Sequence, residues 1–300
     1  MTLANAVIAG SGRSGTTAMF RYLSEHPEVC VSAKKETNYF EYGIYAVPQP
    51  PLEQYERYFA RHRDERLVLE ASPGYLSDGL LVANEVHRVL GPDCRVVTIL
   101  REPVDRLVSF YNHAVSHGRI PTSESLLEYV ERCRSLPNIR ETRDLSSQVL
   151  EGYHGGFYLE PVQEWMHVFG DRMRVVFFDD LQRDAALFMS ELADWLGIDA
   201  SYFRGKSLKV ENASHAARAK GVHRLAQWFN QQIEPLGERY PRAMRTVRQG
   251  YLKVNTRQPE RGLSADLVKS LFEDYHAANL ALGRFLGERG YVEVPSWLSE

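Results

Sequence analysis

The sequence has few cysteines, no long apolar run and no excess of positive charge, and each absence removes a class of function. Three cysteines among 300 residues are odd in number and fit no CxxC or Cys/His metal spacing, which argues against a disulfide framework and a metal site. A net charge of -3 provides no basic field for nucleic acid or an anionic membrane. We therefore expect buried, reduced thiols, no metal and no nucleic-acid partner.

The sequence also lacks targeting signals and internal divisions. The N-terminal stretch MTLANAVIAG has no basic region, and no later stretch reaches the about 18 apolar residues of a transmembrane helix. No repeat, low-complexity tract or Gly/Ser linker divides the chain. We expect a cytoplasmic protein without a membrane partner, folded as one domain over residues 1–300.

Five short apolar runs, mostly separated by helical patterns, predict the fold class. Runs of this length without strict alternation are typical of parallel strands covered on both faces. The pattern predicts an α/β fold, a three-layer parallel sheet over about residues 5–197. The polar segment 116–147 and a mostly helical C-terminal extension, from about 198 to 300, are candidates for a lid and a second wall over a ligand. The five runs are ANAVIA (4–9), VCVSA (29–33), RLVLEA (66–71), CRVVTIL (94–100) and RMRVVFF (172–178).

The stretch GSGRSGTT, residues 10–17, lies between the first strand and the first helix and predicts a P-loop-like anion site. Glycines let backbone N–H groups approach an anion, and the helix N-terminus adds a partial positive charge. The spacing is that of a Walker A loop, but Thr16 stands where its lysine would be. The loop therefore suits a less charged group than a metal-bound triphosphate, such as a phosphosulfate. Its candidate cofactor-binding residues are Gly12, Arg13, Ser14, Gly15, Thr16 and Thr17.

A second anion-binding position is predicted where the strand CRVVTIL runs into Arg101. Ligands of open α/β sheets bind beyond the carboxyl ends of the strands, so Arg101 should enter the same crevice as the glycine loop. Ser109 follows about two helical turns later, and the two side chains together suit a second phosphate. Arg106 is assigned instead to an ion pair with Glu102 at i, i+4.

Several blocks of the sequence, in this order, resemble those of PAPS-dependent sulfotransferases, nearest to the heparan-sulfate N-sulfotransferase type. PAPS is 3'-phosphoadenosine-5'-phosphosulfate. The resemblance implies that the glycine loop binds the 5'-phosphosulfate and that Arg101 and Ser109 bind the 3'-phosphate. Unlike the Golgi members of the family, the sequence shows no membrane anchor and no paired cysteines near the C-terminal cofactor loop. The matching blocks are AGSGRSGTTAMFRYLSEHPEV, KETNYF, EASPGYL, ILREPVDRLVSFYNH and GGFYLEPVQEW…RVVFFDDL.

The resemblance also places the catalytic base at Glu36, in KKETNYF. Lys35, together with Arg13 and less directly Lys34, would then approach the bridging oxygen of the transferred group. On its own, a KKE run is more typical of a solvated charge cluster.

Two histidines remain open as alternative bases. His113 lies about one helical turn beyond Ser109, and His154 lies in GYHGGFY.

Two further segments carry site hypotheses. Arg218 and Lys220, in SHAARAKG (214–221), either close over the nucleotide or begin an exposed basic helix. In EASPGYL, Glu70 ends a strand and Ser72 is placed to touch the loop or the acceptor. The aromatic pair that follows Glu36, at positions 39 and 40, is expected in the core.

These residues together predict an enzyme that moves the sulfuryl group of PAPS to an acceptor hydroxyl, with an amine as the second choice. The acceptor would be a small molecule, a sugar or a carrier-bound intermediate. One alternative is a nucleotide or small-molecule kinase with a degenerate Walker loop, which would require a loop lysine and an acidic residue at a strand end. The other is a nucleotide-binding module without catalysis.

Overall fold

The five apolar runs form one parallel sheet. In this computed structural model, which describes residues 2–42, 45, 47–142, 144–208, 216–217, 256–257 and 264–299, the strand order is β2–β3–β1–β4–β5. Every pairing within the sheet is parallel, which confirms the predicted class. The strands are β1 (Ala6–Gly10), β2 (Val29–Val31), β3 (Leu67–Ala71), β4 (Arg95–Leu100) and β5 (Met173–Phe177).

Helices connect the strands and cover the sheet. In the described part of the chain, none of them is both long enough and apolar enough to span a bilayer. A short antiparallel pair, β6 (Ala216–Ala217) and β7 (Thr256–Arg257), lies outside the main sheet. The helices are α1 (Thr16–Ser24), α2 (Leu52–Arg57), α3 (Tyr75–Asp78), α4 (Leu80–Leu90), α5 (Pro103–Ser116), α6 (Leu126–Ser135), α7 (Ile139–Thr142), α8 (Glu151–His154), α9 (Leu159–Phe169), α10 (Phe178–Arg183), α11 (Ala185–Leu196) and α12 (Ala265–Gly287).

Alternate residues of the strands enter two different cores, which gives the three layers. In β1, Val7 and Ala9 pack with α4, α9 and α12, whereas Ala6 and Ile8 pack with α1, α10 and α11. Every residue of β1 is buried, as expected for a central strand covered on both faces. The three cysteines are buried and free, as predicted.

The polar segment 116–147 contains a well-defined helix rather than an open loop. Ser125 accepts a hydrogen bond from the N–H of Glu128, and the Glu128 carboxylate accepts one from the N–H of Ser125, so α6 starts with a capping box. The buried face of α6 joins a third apolar cluster with α5 and α12. Arg134 of α6 also forms an ion pair with Asp274 of α12. The segment and the C-terminal helix therefore pack together beside α5.

The strand order reverses at β1, because β2 and β3 lie on one side of it and β4 and β5 lie on the other. Its neighbours are β3 on one side and β4 on the other. In open α/β sheets this crevice, at the carboxyl ends of the strands, is where ligands bind. The turn after β1 is the glycine loop, so fold and motif indicate the same site.

Candidate active site

Two glycines of the loop are required by its geometry. Gly15 has φ of 99°, and a Cβ there would lie 2.8 Å from a ring carbon of Phe178. A Cβ on Gly10 would lie 2.6 Å from the Cβ of Leu76. Both positions exclude larger residues, whereas a Cβ on Gly12 would meet nothing closer than Pro73, at 3.9 Å. Gly10 and Gly15 fix the path of the loop, and Gly12 leaves its surface open.

Predicted site residues from three different segments meet at the loop. The Arg13 Nε donates to Ser109 Oγ at 3.3 Å, and an Arg101 nitrogen donates to the backbone carbonyl of Arg13 at 3.4 Å. The pKa of Arg13 is lowered by burial and then by the positive charge of Arg101, with a smaller lowering by Arg106; the charge of Glu36 opposes these effects. Several guanidinium groups thus crowd one loop, an arrangement that an anion would relieve.

Arg101 carries the clearest sign of a missing partner. Its guanidinium lies 4.9 Å from the ring centroid of Phe178 and donates to Asp105 at 3.2 Å. Its Nε is buried and has no hydrogen-bond partner among the described residues. Buried donors are rarely left unpaired in native proteins, so this N–H is well placed to serve an anionic ligand.

Arg106 does not form the ion pair predicted from its spacing. Glu102 accepts hydrogen bonds from the N–H groups of Val104 and Asp105 and caps α5. Arg106 is fully buried and pairs with Glu151 at 2.7 Å. The prediction was wrong because the Glu102 carboxylate caps the N-terminus of α5. Glu151, from a segment distant in sequence, provides the buried partner of the arginine.

Arg106 also reaches the loop through Ser11, a contact that sequence reasoning missed. Its Nε donates to Ser11 Oγ at 3.1 Å, and Ser11 Oγ lies 2.8 Å from Ser14 Oγ. One signal was available in the sequence: Arg106 is four residues before Phe110, within the apolar stripe of α5, where an arginine must find a buried partner.

Lys35 and Glu36 lie together after β2. The Lys35 Nζ donates to Glu36 Oε1 at 2.6 Å, and the Glu36 side chain is 53% exposed. Glu36 has φ of 63°, and its N–H donates to the carbonyl of Ala71 at the end of β3. The negative charge of Glu36 acts to raise the pKa of Arg13. Lys34 is exposed.

A buried carboxylate holds the segment that carries Glu36. Glu70 is fully buried and accepts hydrogen bonds from four hydroxyl groups at 2.5 to 2.8 Å. Ser72 Oγ also accepts from the N–H of Asn38 at 3.0 Å. The predicted core positions Tyr39 and Phe40 are buried, which confirms that assignment. The four donors are the hydroxyls of Thr37, Tyr55, Ser72 and Tyr75.

The two candidate histidines lie in different surroundings. Burial lowers the pKa of His113 to about 3, and the positive charge of Arg13 contributes to the shift. A group with so low a pKa is a weak base at neutral pH. Burial also lowers the pKa of His154, whose ring lies on a cavity beside α9. Both shifts favour the neutral ring, and the low pKa of His113 favours Glu36 over it as the base.

Two predicted cofactor residues, Arg218 and Lys220, lie outside the described residues. Within the described ranges, no group of three His, Cys, Asp or Glu side chains is placed to hold a metal ion.

Comparisons with known proteins agree on one family. The sequence model described as "Sulfotransferase domain" matches residues 4–223. The chain is similar to the bifunctional heparan sulfate N-deacetylase/N-sulfotransferase 1 of Caenorhabditis briggsae, at 23% identity over 308 residues that cover 100% of this chain and 32% of that protein. The membrane-associated sulfotransferase kil1 of Dictyostelium discoideum is 29% identical over 161 residues, 51% of this chain and 31% of that protein. The chain thus spans about a third of the length of these relatives.

A solved structure shows the same fold. The sulfotransferase from Alicyclobacillus acidocaldarius superposes with a TM-score of 0.69 at 19% identity, and the match covers 99% of each chain.

Proposed function

Since this chain belongs to the sulfotransferase domain family, we propose that it transfers the sulfuryl group of PAPS to an acceptor hydroxyl, with an amine as the second choice. The observation that carries the proposal is the cluster of Arg13, Arg101 and Arg106 around a glycine loop that has no lysine. The buried, unpartnered Nε of Arg101 fits a ligand with a second phosphate beside the one at the loop.

The residues of the site divide into two anion-binding groups. The loop from Gly12 to Thr17, at the N-terminus of α1, would hold the 5'-phosphosulfate through backbone N–H groups. Arg101 and Ser109 would hold the 3'-phosphate. Arg13 contacts Ser109 and receives a hydrogen bond from Arg101, so it would connect the two groups.

The chemistry assigned to the chain is positioning, charge stabilisation and proton removal. PAPS supplies a sulfuryl group on a good leaving group, and such transfers have loose, in-line transition states like those of phosphoryl transfer. Lys35 and Arg13 would stabilise negative charge on the leaving phosphate oxygen, at about 1.5 to 3 kcal/mol for each charge-assisted hydrogen bond. Glu36 would take the proton of the attacking group.

The kinase alternative is disfavoured by the surroundings of Glu70. A magnesium-dependent Walker site needs an open carboxylate at a strand end near the loop. Glu70 is an acid in β3, next to β1, but four hydroxyl groups already surround its carboxylate. Thr16 also cannot supply the lysine's charge.

The acceptor of the sulfuryl group is proposed as a class of molecules and not as a single compound. The names of several relatives give heparan sulfate as the material on which they act. For this chain we propose a small molecule, a sugar or a carrier-bound intermediate.

Calorimetry with adenosine 3',5'-bisphosphate, the product of PAPS, tests the function. We expect it to bind at least about tenfold more tightly than ADP or magnesium-ATP, a difference of about 1.4 kcal/mol, and Arg101→Ala to abolish the preference. Arg88→Ala is the matched control, because Arg88 is exposed and pairs with Glu85 on α4. Tighter binding of magnesium-ATP with no effect of Arg101→Ala would replace the sulfotransferase proposal with the kinase.

A further inference from the structure

A cavity of about 190 Å³ lies between α3, α8, α9 and α12. Its polar wall contains Ser77, Glu151, His154 and Tyr158. The volume is below the roughly 300–1,000 Å³ of pockets that enclose a drug-sized ligand. It therefore suits one end of a larger molecule, or a single small ring.

Two residues that line this cavity each carry a buried atom with no hydrogen-bond partner among the described residues: Glu151 Oε2 and His154 Nε2. The other Glu151 oxygen accepts from Ser77 at 2.6 Å and from Arg106 at 2.7 Å. A carboxylate oxygen can only accept, so Glu151 Oε2 requires a donor from a bound molecule. His154 Nε2, on a residue of the same cavity, requires a hydrogen-bond partner of its own.

The charges around the cavity oppose an anionic ligand. Arg140 lines the cavity, but it forms ion pairs with Glu160 and Glu164, and the nearby Arg106 pairs with Glu151. The arginines are thus matched by carboxylates, and the excess charge is negative.

The cavity lies close to the residues assigned to transfer. Tyr158 lines it and donates to the carbonyl of Arg101 at 2.8 Å. Arg106 contacts Ser11 of the loop with its Nε and Glu151 of the cavity wall with another nitrogen. Ser77 follows β3 and Arg101 follows β4, so the cavity lies at the same carboxyl edge of the sheet as the loop.

We propose that this cavity is the acceptor pocket and that it selects a neutral or cationic group rich in O–H or N–H donors over one bearing carboxylate or sulfate. The inference rests on the proposed function, because it assigns the second substrate of that site. Glu151 is the specificity residue, since its free carboxylate oxygen accepts a hydrogen bond from the bound end of the acceptor, and His154 provides a second hydrogen-bonding position.

Three matched sugars test the pocket in the full chain, with adenosine 3',5'-bisphosphate present: methyl glucoside, methyl glucosaminide and methyl glucuronide. Ring-nitrogen NMR of His154 locates binding, and titrations extend to about 50 mM, far above the millimolar Kd that corresponds to about −4 kcal/mol. We expect the glucoside and the glucosaminide to shift the His154 signal and to bind at least about tenfold more tightly than the glucuronide, a difference of about 1.4 kcal/mol.

Variants and the bisphosphate separate the possible failures. His154→Phe keeps a ring but removes its nitrogens, and should weaken sugar binding about threefold or more, without changing bisphosphate affinity. The exposed His167 of α9 provides the control, His167→Phe. Equal or tighter glucuronide binding, no binding by any sugar, or binding indifferent to His154→Phe would overturn the pocket assignment. Failure of the bisphosphate to bind would overturn the proposed function instead.

Discussion

Glu36→Gln should lower turnover by about 10²- to 10⁴-fold, the range that a positioned general base contributes. The amide keeps the size of the side chain but cannot accept the acceptor's proton. The carboxylate is 53% exposed, so its loss should cost little stability. Initial rates of bisphosphate release from PAPS, with any acceptor that the wild-type protein uses, measure the effect. Calorimetry should show bisphosphate affinity within a few-fold of wild type.

Glu131→Gln, on the exposed face of α6, controls for the loss of a surface carboxylate and should retain full turnover. Wild-type turnover in Glu36→Gln would move the base assignment to His113 or His154, which His113→Asn and His154→Phe would then separate. Joint loss of turnover and bisphosphate binding would assign Glu36 to the cofactor site instead.

The sequence was sufficient to predict the sheet and the glycine loop, because both depend on local patterns of residues. Each strand is a short apolar run, and burial on both faces makes such runs continuous rather than alternating. The path of the loop depends on Gly10 and Gly15, where packing against Leu76 and Phe178 excludes a side chain. The position of Arg101 at the end of β4 followed from the same strand pattern.

The partners of buried charges could not be predicted in the same way. Arg106 and Glu151 are 45 residues apart, and no periodicity connects α5 with α8. Glu102 was a reasonable partner by spacing, but the N-terminus of α5 required a cap. Two of the four hydroxyls around Glu70, those of Thr37 and Tyr55, likewise come from segments 33 and 15 residues away. Such contacts depend on tertiary packing, which decides how the crevice is supported.

Arg106→Met should destabilise the protein by about 3–5 kcal/mol, the usual cost of removing one partner of a buried ion pair. The side chain is fully buried. It donates to the Glu151 carboxylate at 2.7 Å and to the carbonyls of Glu151 and Gly152 at 3.1 Å. Methionine fills much of the space but leaves these acceptors without a donor. Urea unfolding measures the change, and Arg88→Met, at an exposed pair, should stay within about 1 kcal/mol of wild type.

The double variant Arg106→Met/Glu151→Leu separates the two roles of Arg106. Removing the Glu151 carboxylate, which has lost its ion-pair partner, should restore part of the lost stability, because an apolar pair can replace a buried ion pair at little cost. Bisphosphate affinity should be reduced in Arg106→Met and in the double variant alike, since Ser11 lacks in both the donor that holds its hydroxyl at 3.1 Å. If the double variant regains stability and affinity together, Arg106 acts only through the fold. If neither returns, the loss arises from the backbone carbonyls rather than from the carboxylate.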